Sequence, residues 1–108
     1  MEFLVEFEQD IPEGTPESEV GDRESAEASA AARLAQAGHL MRLWKARRAD
    51  GTNAIGLYRA DSEGQLEGLL GALPMYDWMR IVVTPLEPHP NDPVGGRASG
   101  SATARSER

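Results

Sequence analysis

The chain has 108 residues, with 18 acidic against 11 basic side chains, a net charge of −7 and no cysteine. That charge excludes non-specific nucleic-acid binding, which needs a basic surface to displace counterions, and the missing cysteine excludes a disulfide framework and a thiolate nucleophile. No apolar run approaches the roughly twenty residues that cross a bilayer, and no basic stretch followed by an apolar one opens the chain, so a cytoplasmic protein without membrane contact is expected.

Residues 2–8 alternate and predict a strand with Phe3, Val5 and Phe7 on its buried face. Ile11-Pro12-Glu13-Gly14 is a turn. Thr15-Pro16-Glu17 then reads as a helix start, with a hydroxyl N-cap, proline at the first helical position and acids in the first turn. Alanine-rich sequence carries this helix to about Ala37, and Gly38 stops it. A second strand follows from His39 to Arg48 and a third from Asn53 to Ala60, joined by an Asp-Gly hairpin turn at Ala49-Asp50-Gly51. Ser62-Glu63-Gly64-Gln65 is a capping box opening a short helix, with Leu66, Leu69 and Leu70 inward and Gly71 and Pro74 at its end. Met79 to Leu86 is the fourth strand. From Pro88 onward the composition cannot offset the entropy of ordering. A folded domain over 1–87 and a C-terminal arm and disordered tail over 88–108 are therefore expected.

The order βαββαβ is that of an α+β, ferredoxin-like sandwich. Its helices cover one face of the sheet and leave nothing for the other. Trp44 alternates against Leu43 and Tyr58 against Leu57, so large aromatic groups project from both sides. Trp44, Tyr58 and Trp78 are more aromatic surface than a small acidic monomer exposes, which predicts a homo-oligomer with a ligand, a second subunit or both on the open face.

Glu27 is the first chemical candidate. Val20, Glu24, Glu27, Ala31 and Leu34 fall at a 4-3-4-3 spacing on one stripe of the first helix. Leu34 faces the core on this reading, so Glu27 is directed inward, where desolvation favours a base working near neutral pH. The competing reading solvates Glu27 like its acidic neighbours. Arg42 and Trp44, two residues apart on one strand face, suit a planar carboxylate-bearing ligand, or else Arg42 lies over Trp44 at a subunit contact. Tyr76 and Trp78, in the turn before the last strand, are a pocket wall or lid, or a plug against a neighbouring subunit. His39 opens the second strand and is a binding candidate or a surface residue. His89, amid prolines, suggests an arm packing on a partner. Two histidines fifty residues apart without cysteine make no metal site, Gly68-Leu69-Leu70-Gly71 lacks the context of a phosphate loop, and Ser25, His39 and Asp61 form a nucleophilic triad only on paper.

The stretch Leu73-Pro74-Met75-Tyr76-Asp77-Trp78-Met79, a β-branched run, then Thr84-Pro85-Leu86 and His89-Pro90 closely resembles the C-terminal signature of the muconolactone Δ-isomerase family, in the dimeric ferredoxin-like α/β-barrel superfamily. The resemblance spans residues 1 to about 93, and Met41-Arg42-Leu43-Trp44-Lys45 resembles a subset of the family with an Ala-rich first helix. It implies a cofactor-independent isomerase that moves a C=C double bond in an unsaturated, muconolactone-like lactone, with no metal. Glu27 matches a glutamate recurring in the family's first helix and is implied as the acid/base, with Arg42, Trp44, His39, Tyr58, Tyr76 and Trp78 around the substrate. Sheet-to-sheet dimers are implied, with decamers known in the family and active sites near subunit boundaries. The chain departs from the family at Ala26 and Ala28, where basic residues are usual, at Ala30 for a tyrosine, at Arg42 for a histidine and at Asp77 for a proline. Those departures keep two alternatives open: a cyclase or oxygenase of the same fold acting on a polycyclic metabolite, and a non-catalytic small-molecule-binding domain.

Overall fold

The computed structural model describes residues 1–48 and 51–94. Four strands, β1 (Glu2–Gln9), β2 (Leu40–Arg48), β3 (Gly51–Arg59) and β4 (Met79–Leu86), form one sheet in the order β2-β3-β1-β4, with β1 antiparallel to both β3 and β4 and β2 antiparallel to β3. Helices α1 (Glu17–Gln36) and α2 (Glu63–Gly71) complete the βαββαβ order, and a single 3₁₀ turn at Tyr76–Trp78 leads into β4. Residues 49–50 of the expected hairpin turn at Ala49-Asp50-Gly51, and residues 95–108 of the expected arm and disordered tail over 88–108, lie outside the described residues. Among the described residues no helix is long and apolar enough to cross a membrane.

The helix ends follow from local chemistry. Gly38, at φ +85°, lets the chain turn left-handed after α1, and its N–H donates to the Ala35 carbonyl while His39 N–H donates to Leu34; these two bonds are the Schellman pattern. Ser62 caps α2 by accepting the Gln65 N–H at 3.0 Å, and Gln65 Oε1 returns to the Asp61 N–H at 2.6 Å, one residue outside the usual capping-box partner. The start of α1 differs from expectation. Thr15 donates its hydroxyl to the Pro12 carbonyl at 2.6 Å, closing the preceding turn, and Pro16 takes the N-cap position without a side-chain cap. Glu17 and Glu19 in the first turn remain to favour the helix dipole.

Phe3, Val5 and Phe7 lie on the helix-covered face and join Ala30, Tyr58, Leu66, Leu70 and Leu73 in one core. Register carries that face across the sheet: Val5 pairs with Gly56 and Val83, and Gly56 pairs with Leu43. The other face carries rows such as Trp44, Ile55, Glu6, Val82 and Arg42, Leu57, Leu4, Thr84. Its apolar side chains are interspersed with the ion pairs Arg59–Glu2, Arg48–Glu6 and Arg80–Glu8, which, being exposed, contribute little to stability.

Two of the three aromatic assignments need correction. Tyr58 and Trp78 are 3% and 6% exposed, buried within the chain itself rather than offered to a partner. Among the described residues only Trp44, 42% exposed as expected, supplies aromatic surface to the open face.

Candidate active site

The site forms where α1 meets the turn after α2. Arg23 and Glu27 stand four residues apart on the same helical stripe, both half-buried. Arg23 Nη1 donates to the Pro74 carbonyl at 2.8 Å, and Glu27 Oε1 accepts the Met75 N–H at 2.9 Å. The Pro74 carbonyl and the Met75 N–H belong to one peptide bond, so α1 grips both edges of a single peptide plane. The Arg23 guanidinium also lies over the Trp78 ring, 4.3 Å from its centroid, a favourable cation–π geometry. Glu27 is thus oriented through one carboxylate oxygen, while Oε2 has no hydrogen-bond partner among the described residues.

Tyr58 reaches the same side of the sheet from β3. Its ring lies along the strand over Gly56, where an added Cβ would come within 2.6 Å of the Tyr58 Cε1, and packs tilted against Phe7 at 6.1 Å between centroids. Burial first, and then the negative charge of Glu27, push the Tyr58 phenol from 10.0 up to about 12. The unfolded chain therefore releases this proton before the folded one does. The stability contributed by the neutral phenol is complete below pH 10 and lost as pH rises through 12. Urea unfolding between pH 9 and 12 checks this: wild type is expected to weaken more steeply than Tyr58→Phe, and equal slopes would refute it.

The remaining expected residues are dispersed. Arg42 lies over the Trp44 ring at 4.9 Å, but register with Leu57 and Ile55 places both on the open face, away from Glu27. The cause is an irregularity between Leu40 and Arg42, where β2 carries Met41 as an extra residue. A bulge of this kind reverses the alternation beyond it. Leu43 takes the position facing Glu27's side and is half-exposed there. His39 is tied to the sheet end, its ring Nδ1 2.9 Å from the Arg59 carbonyl. Tyr76 is 46% exposed. His89 accepts the Asn91 N–H through Nδ1 at 3.0 Å and lines a cleft of about 690 Å³ between the arm and the Met1–Glu2 end of the sheet. That cleft contains none of the residues around Glu27.

The helix stripe is also corrected. Glu24, expected inward, is exposed, and Arg23 takes its place. Its sequence signal was a cation one turn before Glu27, and no pattern in α1 alone selects it over Glu24.

Residues 1–92 match the family model for muconolactone delta-isomerase. The chain belongs to the muconolactone Δ-isomerase family. It is 30% identical over 92 residues to a muconolactone Δ-isomerase of Cupriavidus pinatubonensis, covering 84% of this chain and 97% of that protein, and 29% identical to muconolactone Δ-isomerase 1 of Acinetobacter lwoffii, covering 84% and 93%. Among solved structures it superposes on a muconolactone isomerase with a TM-score of 0.74 at 25% identity, over 85% of this chain and 94% of the other. A 5-chloro-2-hydroxyhydroquinone dehydrochlorinase from Burkholderia phenoliruptrix, solved with 2,5-dihydroxybenzoquinone, shares the fold at a TM-score of 0.59 and 16% identity, covering 81% and 94%. The protein is an isomerase of this family, and both the fold and the family read from residues 73–90 stand. The cyclase, oxygenase and binding-domain alternatives are set aside.

Proposed function

We propose that this isomerase shifts the ring double bond of muconolactone, or of a closely similar carboxylated butenolide, by a proton shuttle on Glu27. The observation that carries the reading is a half-buried carboxylate held by one oxygen, through the Met75 N–H, with the other oxygen facing no protein donor among the described residues. That is the arrangement a single acid/base needs: fixed orientation and one working atom. Both curated relatives named above are muconolactone Δ-isomerases.

In this mechanism Glu27 Oε2 takes the proton from the ring carbon conjugated through the double bond to the lactone carbonyl. The C–H electron pair enters the conjugated system, giving a dienolate with its charge on the carbonyl oxygen. Glu27 then returns the proton to the carbon beside the carbonyl, which leaves the double bond one position along the ring. No atom is gained or lost. Arg42, expected to answer the developing charge, cannot do so within one chain because it occupies the opposite face. Arg23 is a cation on Glu27's own side, and its N–H groups beyond the one used on Pro74 suit the substrate's carboxylate. The test is direct: purified protein with muconolactone, followed by loss of the starting lactone's ultraviolet signal. No change above the rate without protein would sink the substrate assignment.

The same reading includes a homo-oligomer whose second copy covers the open sheet face. Trp44, Val82 and Leu86, at 42%, 51% and 38% exposure, share the open face with Leu4, Ile55 and Leu57, more apolar surface than a small monomer usually exposes. Sedimentation is expected to give a dimer or larger species for wild type and a monomer for Val82→Asp. A monomeric wild type at micromolar concentration would remove the proposal.

A further inference from the structure

We propose that the Tyr58 hydroxyl is a second working group of this site, donating a hydrogen bond to the substrate's carbonyl oxygen as negative charge develops there. The proposal rests on the lactone isomerase reading and deepens it. Its first support is placement. Register sets Tyr58 beside Gly56 and opposite Phe3 on the helix-covered face, the face that Glu27 approaches from α1.

The second support is an unanswered polar atom. The residue is 3% exposed, yet its hydroxyl makes no hydrogen bond to any group among the described residues. Buried hydroxyls are almost always bonded, because an unsatisfied one forfeits its hydration without return. A substrate oxygen is a partner that would be present only during turnover.

The third support is rigidity. Gly56 has room for no side chain beneath the ring, and Phe7 packs against it at 57° between planes. The hydroxyl is therefore held in place before substrate arrives, as stabilisation of a developing oxyanion requires.

Electrostatics adds a fourth. The Glu27 charge bears on the phenol, but the two side chains are not hydrogen-bonded to each other. Both stand on the same side of the sheet, Glu27 on α1 and Tyr58 on β3. Glu27 favours the neutral phenol, so Tyr58 remains a donor at neutral pH and does not add a second anion to the site. During the reaction Glu27 gains and returns the migrating proton, the electron pair resides transiently on the carbonyl oxygen, and Tyr58 keeps its own proton throughout.

The experiment compares Tyr58→Phe with wild type and Glu27→Gln in two assays: turnover of muconolactone, and binding of tetronate, a stable butenolide anion that mimics the dienolate. Phenylalanine preserves the ring and its packing, and thermal melting at pH 7 confirms the fold. The expected result is a kcat lowered about 10²–10³-fold with KM near wild type, and tetronate binding weakened about 10- to 100-fold. Glu27→Gln is expected to lose turnover and still bind tetronate. If Tyr58→Phe keeps full kcat and full tetronate affinity while Glu27→Gln is inactive, the Tyr58 assignment is overturned and the lactone reading stands. If Tyr58→Phe changes KM alone, the hydroxyl acts on ground-state binding and the proposed role is likewise overturned. If wild type neither turns over muconolactone nor binds tetronate, both readings fall together.

Discussion

Replacing Glu27 by glutamine is expected to lower turnover of the proposed lactone substrate by about 10²–10⁴-fold, the usual worth of a positioned acid/base, and to leave the fold nearly intact. The two halves of that expectation have separate physical origins. Glutamine keeps an oxygen that can still accept the Met75 N–H, now held at 2.9 Å by Oε1, so the turn after α2 remains docked on α1. What would be lost is the atom proposed to carry the proton, since an amide cannot exchange it between two carbons at neutral pH. A drop in kcat with little change in KM is the signature to seek, because the charge acts on the transition state and not on the resting lactone. Glu27→Ala separates the roles further: it removes the acceptor too and leaves the Met75 N–H unpaired, adding a stability loss of about 1–3 kcal/mol. Near-full activity in the glutamine variant would place the proton shuttle elsewhere.

Trp78→Ala is expected to destabilise the domain by about 3–5 kcal/mol, the range for truncating a large buried aromatic. The indole is 6% exposed and lies under the Arg23 guanidinium at 4.3 Å. Its main chain is also engaged, accepting the Asp10 N–H and donating to the Met75 carbonyl, so the 3₁₀ turn is anchored to the far end of β1. Without the ring, Arg23 loses the platform beside its bond to the Pro74 carbonyl. For a small domain whose whole stability is on the order of 5–15 kcal/mol, that loss approaches the margin for folding. Urea unfolding gives the number, and a change below about 1 kcal/mol would show that the turn is held by its hydrogen bonds alone.

The strands and helices could be placed from the sequence because their signals are local. Alternation at Phe3, Val5 and Phe7, the Gly38 stop and the Ser62 cap each act within a few residues, and each appears in the structure. The site was harder to place because it depends on contacts between distant segments. Stripes through Glu24 and through Arg23 are equally good helical spacings, and Pro74 and Trp78, some fifty residues on, decide between them. Tyr58 and Trp78 have the composition of exposed interface aromatics, and only the packing of the sheet and the turn shows them buried. Thr15 before Pro16 has the form of a cap, but its hydroxyl finds the Pro12 carbonyl first. In Glu27's case the position was legible from the stripe, whereas its bond to the Met75 N–H required the folded turn.

The extra residue at Met41 decides which side chains β2 presents on each face of the sheet. Because the alternation switches there, Arg42 and Trp44 lie on the open face and Leu43 on the helix-covered face. Deleting Met41 would remove the bulge and keep Leu40 opposite Tyr58, Arg42 opposite Leu57 and Trp44 opposite Ile55, so all three would hold their present faces. Drawing Met41 into the regular ladder without losing a residue would instead slip the pairing beyond it by one, turning Arg42 and Trp44 to the helix-covered face and Leu43 to the open one. What each face of this strand presents is thus set by the irregularity itself and not by the identity of any side chain beyond it.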